Sequence, residues 1–126
     1  MEMKTVIKPE SVSKILMEFS RPLLDRMGPF INNNNSDKMI LENVFLVTTT
    51  VWNALVLDKS EGGNKYLTEL LLRAATGPDG MNTQIDLLIE RKKKLFSEHI
   101  YTISDQNVRW EKDRWILNAT ARKPKA

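Results

Sequence analysis

The sequence predicts an α+β domain, mainly α, with a four-helix core followed by a C-terminal β-hairpin. Three observations predict it. Apolar residues recur at three- and four-residue steps through four segments between Glu10 and His99. The period changes to two after Ile100. The chain has 126 residues, of which 41% are hydrophobic and 28% charged, which fits one ordinary globular domain and excludes a disordered or collagen-like chain.

The first helix is predicted over about 10–27, with Val12, Ile15, Leu16, Phe19, Leu23 and Met27 on one stripe. Pro9 suits its first turn. Pro22 removes a hydrogen bond and crowds the carbonyl four residues back, so the helix is expected to kink there or to split, with Ser20 capping a fresh turn. Gly28-Pro29 ends the element, and Asn32 to Asn35 reads as a polar surface loop. The second helix is predicted over about 37–58, with Ser36 as its N-cap and Asp37 on the positive end of the dipole. Its wide apolar arc, from Ile40 through Val44, Phe45, Val51 and Trp52 to Leu55, requires cover on most sides. Val44 to Trp52 is also rich in strand formers, but the uninterrupted length favours a helix.

A third helix is predicted over about 64–76, with Leu67, Leu70, Leu71 and Ala74 inward and Gly77-Pro78 as its stop. The fourth is predicted over about 83–99. Thr83 and Asp86 have capping-box spacing there, and Met81, Ile85, Leu88, Ile89 and Phe96 line the inner side. Alternation on both sides of Glu111 to Arg114 then predicts a hairpin over about 100–122. A lone hairpin is marginal in water, so its Trp110–Trp115 face is expected to lie on the helices or to pair with another strand, for which Lys4 to Ile7 is a candidate. Lys123 to Ala126 reads as a loose end.

Several functions are excluded or left without support. The absence of cysteine removes disulfide frameworks and thiolate metal sites, and suits a cytoplasmic protein. Met1 to Pro9 lacks the apolar core of a secretory signal. Met39 to Leu57 approaches membrane-spanning length but contains Glu42, Asn43 and Asn53, so a buried core helix is expected and no membrane. The five glycines form no phosphate-binding loop. His99 is the one histidine; a zinc site built on it would need three carboxylates or waters. Paired with a carboxylate it is the only conceivable catalytic centre, and its expected place is the end of the fourth helix, on the same stripe as Phe96. Asp86 and Glu90 share a helix face, but no matching pair elsewhere completes a di-metal bundle. No catalytic residue, cofactor or metal is therefore expected. Asn53 reads either as a satisfied core amide or as a ligand contact.

Charge is the one asymmetric feature. Residues 1–80 carry nine Lys/Arg and ten Asp/Glu, a net −1; residues 81–126 carry ten and six, a net +4. Arg91, Lys93, Lys94, Arg109, Arg114 and Arg122 are the residues that a nucleic-acid-binding accessory protein would use. Against this, four successive helical residues turn through about 400°, so the run Arg91 to Lys94 cannot face one partner. Lys92 falls near the apolar stripe. The preferred expectation is a small non-catalytic interaction module, a homo-oligomer formed through the second helix or the hairpin.

Overall fold

A computed structural model describes residues 9–75 and 81–122. Four helices, α1 (Pro9–Met27), α2 (Asn35–Glu61), α3 (Lys65–Ala75) and α4 (Met81–Leu95), precede an antiparallel hairpin of β1 (Thr102–Glu111) and β2 (Arg114–Arg122). The fold is the α+β arrangement that the change of period predicts. The segment Lys4 to Ile7, the Gly77-Pro78 stop and the tail 123–126 lie outside the described residues.

α2 is the axis of the molecule. Val51 and Trp52 are fully buried, and α1, α3, α4 and β1 all pack on this helix. Its length and composition would also suffice to cross a bilayer. In the fold, one side carries Leu41, Val44, Phe45, Thr48 and Trp52 into the core, while Met39 and Leu46 remain exposed on the other. The helix begins two residues earlier than its composition suggests. Asn34, not Ser36, is the N-cap: its Oδ1 accepts from the Asp37 N–H at 2.7 Å, so the asparagine run supplies a cap. At the other end Gly62, at φ 77°, closes the helix by donating to the Asp58 carbonyl. Asp58 then turns its carboxylate to the Tyr66 and Leu67 N–H groups, at 2.8 and 2.9 Å, and so caps α3 from the preceding helix.

α1 neither splits at Pro22 nor starts afresh there. The missing Pro22 N–H deprives the Glu18 carbonyl of its intrahelical donor. Arg91 of α4 takes over: its Nη2 donates to Glu18 O at 2.5 Å and its Nε to Phe19 O at 3.2 Å. Ser20, expected as a cap, is instead fully buried against α2 and donates to Thr48 Oγ1 at 2.9 Å; Thr48 in turn donates to Phe45 O at 3.3 Å. Arg91 and Pro22 should therefore be energetically coupled. Arg91→Met should lower unfolding free energy by about 1.5–2 kcal/mol in urea titrations. In a Pro22→Ala background, where residue 22 regains its N–H, the same change should cost about half as much. Equal losses in both backgrounds would refute the pairing.

α4 starts at Met81, so Thr83 lies inside the helix rather than at its cap, and it ends at Leu95 rather than at His99. The cause of the early stop is Lys92, whose Nζ donates to the Phe96 and His99 carbonyls at 2.8 and 3.0 Å and folds the chain into a turn. The hairpin closes through Lys112 and Asp113, at φ 52° and 64°, both in the left-handed region that a two-residue turn of matching twist demands. β2 lies along α1 and β1 along α2. Ile103, Val108, Leu117 and Ala119 point into the core.

Candidate functional site

The residues most suited to chemistry by type converge where α4 passes into β1. Trp52, fully buried, is surrounded by the rings of Phe19, Phe96, His99 and Tyr101, with centroids 5.2 to 5.9 Å away. Lys92, 6% exposed, sits 4.6 Å above the Trp52 ring and has no carboxylate partner among the described residues. Burial, with a smaller contribution from Lys59, draws its ammonium down to about 8. His99, half-buried beside it, is held below the usual imidazole range by burial and then by Lys92; its neighbour Glu98 acts weakly the other way. Burial alone pushes the Tyr101 phenol up to about 12, and its hydroxyl has no partner among the described residues. His99 therefore leaves the α4 stripe that its spacing predicts and joins an aromatic box next to a cation. The Lys92 amine faces two carbonyls, and among the described residues no carboxylate is hydrogen-bonded to the His99 imidazole to orient it as a base.

The polar groups around this box hold backbone. Trp52 Nε1 donates to Tyr101 O at 2.8 Å. Asn53 acts as a one-residue strand beside β1: its Nδ2 donates to Ile103 O at 3.0 Å and its Oδ1 accepts from Ile103 N at 2.7 Å. That is the satisfied amide of the two sequence readings. On the opposite edge the Ala119 N–H donates to Ser13 Oγ of α1 at 2.9 Å.

A second feature runs between α1 and β2. The turn closes on the pair Glu111–Arg114, so Trp110–Trp115 and Val108–Leu117 are non-hydrogen-bonded pairs whose N–H and C=O groups point away from the partner strand. Outside Leu117 lies a cavity of about 420 Å³ bordered by Ser13, Lys14, Met17 and Glu18. Met17 and Leu117 also border a second cavity of about 140 Å³ that passes under the hairpin tip to Leu24, Phe30 and Trp115. Trp110 and Trp115 meet edge to face at 5.4 Å, and Trp115 Nε1 donates to Asn32 O at 3.1 Å. The two tryptophans are thus partly covered by their own chain, and the groove beside them stays open.

The six basic candidates do not form one surface. Arg91 is turned inward onto α1. Lys93 and Lys94 are exposed on α4, where Lys94 pairs with Glu90 at 3.3 Å. Arg109, Arg114 and Arg122 share the solvent face of the hairpin with Asp105 and Glu111, and Arg109 pairs with Glu111 at 2.9 Å. Among the described residues the α4 backbone does not run beside either strand. Asp86 is exposed, and no group of three or more acidic or histidine side chains suited to a metal occurs among the described residues.

No protein-family model matches the chain, and neither the curated proteins nor the solved structures include a significant match to it. The roles of Lys92 and Trp52 escape sequence reasoning because their partners, Phe96 O, His99 O and Tyr101 O, are backbone atoms. The sequence carries one hint, the position of Lys92 beside the apolar stripe.

Proposed function

We propose that the protein is a small non-catalytic interaction module that self-associates by setting the β2 edge of one copy against the β2 edge of a second. The observation that carries this reading is the outward-turned backbone of Trp115 and Leu117 beside an open groove. An edge of this kind is a template for strand addition. A two-fold pairing of Trp115 with Leu117 of the second copy lets these residues exchange both backbone bonds. It sets Arg114 opposite Asn118 of the second copy and brings no like charges face to face. Lys92, Asn53 and Asp58 each hold backbone, and the His99 imidazole packs against the rings of Trp52, Phe96 and Tyr101 with no carboxylate bonded to it among the described residues. The alternative reading, a nucleic-acid-binding accessory protein, draws on the shared face of Arg109, Arg114 and Arg122. It is disfavoured because acidic residues interleave with that face and Arg91 is engaged elsewhere.

Light scattering at micromolar concentration should give twice the single-chain mass. A semisynthetic chain carrying an N-methyl group on Leu117, which removes one outward donor and leaves the side chain intact, should return it to the monomer. A monomeric parent chain would overturn the self-association, and a dimer that survives N-methylation would overturn its assignment to this edge.

A further inference from the structure

The connection between the helices and the hairpin passes through one aromatic box. Its walls are Phe19 of α1, Trp52 of α2, Phe96 and His99 of the turn, and Tyr101 at the entry to β1. Two basic side chains face the Trp52 ring: the Lys92 amine at 4.6 Å and the His99 imidazole at 5.9 Å. The other ionisable groups around it are mostly basic or neutral. Lys59 of α2 adds repulsion at Lys92, and Arg91 lies over Phe96 at 5.9 Å. Tyr101 is neutral at ordinary pH. The acids nearby point elsewhere or are exposed. Asp58 is turned to the start of α3, Glu18 pairs with Arg21, and Glu98 is exposed on the turn.

We propose that this junction is an acid-sensitive latch: protonating His99 places a second cation beside the Lys92 ammonium in a box without a buried carboxylate, and this loosens the docking of the hairpin on Trp52. The inference is separate from self-association and stands or falls without it. The mechanism is electrostatic. At neutral pH one cation lies over the indole and is satisfied by the Phe96 and His99 carbonyls, and the neutral imidazole packs as a ring. A second charge repels the first and loses hydration, and the low dielectric of the box screens it poorly. The strain falls on the turn that presents the Tyr101 carbonyl to Trp52 Nε1 and on the adjoining Asn53 brace at Ile103. These bonds tie the first residues of the hairpin to α2.

The test is amide hydrogen exchange on the full chain at pH 7.5 and pH 5, expressed as protection factors so that the intrinsic pH dependence of exchange cancels. Protection of the hydrogen-bonded β1 amides, Ile103, Asp105, Asn107 and Arg109, should fall severalfold at pH 5, while that of Val44 to Val56 in α2 holds. His99→Gln, which keeps a polar planar side chain and cannot take up a proton, should abolish the difference. Lys92→Met, which removes the first charge, should shrink it. His99→Asn serves as a second non-titrating variant should the Gln form fold poorly. Unchanged protection in the parent chain, an equal fall in α2, or an undiminished response in the non-titrating variants would each overturn the latch.

Discussion

Replacing Trp52 by Ala should lower unfolding free energy by about 3–5 kcal/mol, the range for a buried large aromatic. That is a large share of the roughly 5–15 kcal/mol that holds a domain together. The side chain is fully buried at the meeting point of α1, α2, the turn after α4 and the entry to β1. Truncation leaves a cavity among Phe19, Phe96 and Tyr101, strands the Tyr101 carbonyl and removes the ring beneath Lys92. Trp52→Phe separates these effects, because it keeps a ring for packing and loses only the N–H donor and part of the volume. Its expected loss is about 1–2 kcal/mol. Urea titration with a far-UV signal measures both, and a loss below about 1 kcal/mol for the Ala variant would contradict the central role of this residue.

The second large effect is an unusual dependence of stability on alkaline pH. Lys92 titrates at about 8 in the folded chain, against 10.5 for an ordinary lysine. Below pH 8 both states hold the proton, and the cost of burying it is fully present. Between pH 8 and 10.5 the unfolded chain keeps a proton that the folded chain has released, so stability rises with pH across that window. At 1.36 kcal/mol per pH unit the rise approaches about 3 kcal/mol. Tyr101 has the opposite sign. Its folded value of about 12 lies above the ordinary 10, so stability falls with pH from 10 upward. Chemical denaturation from pH 7 to 11 should therefore show stability climbing to a maximum near pH 10. Lys92→Met should remove the climb and Tyr101→Phe the descent. A parent profile that declines steadily from pH 8 would contradict the burial of an unpaired ammonium.

The architecture was legible in the sequence because it rests on periodicity, which local spacing records. The stretch around Val44 and Trp52 is rich in strand formers but too long for a strand, so its length marks a helix, and alternation about Lys112 and Asp113 marks a hairpin. What stayed hidden is the pairing of side chains with distant backbone. Pro22 reads as a breaker until Arg91, 69 positions later, supplies the donor that proline lacks. The end of α4 is displaced from His99 to Leu95 because a lysine within the helix captures two carbonyls beyond it, which no propensity scale encodes. Ser36 and Asn34 are both good caps, and only geometry chooses between them. The groove beside β2 was equally invisible, since it depends on how α1 lies along the strand. Asn53 reads from sequence either as a satisfied amide or as a ligand contact, and only its two bonds to Ile103 choose between them.

The bond from Ser13 to the Ala119 amide spans 106 positions and joins the first helix to the last strand. During synthesis the helices emerge from the ribosome well before the residues that cover α1. Until position 119 clears the exit tunnel, α1 lacks the strand that packs along it, and a nascent chain stalled short of that point would be a substrate for chaperones rather than a finished domain.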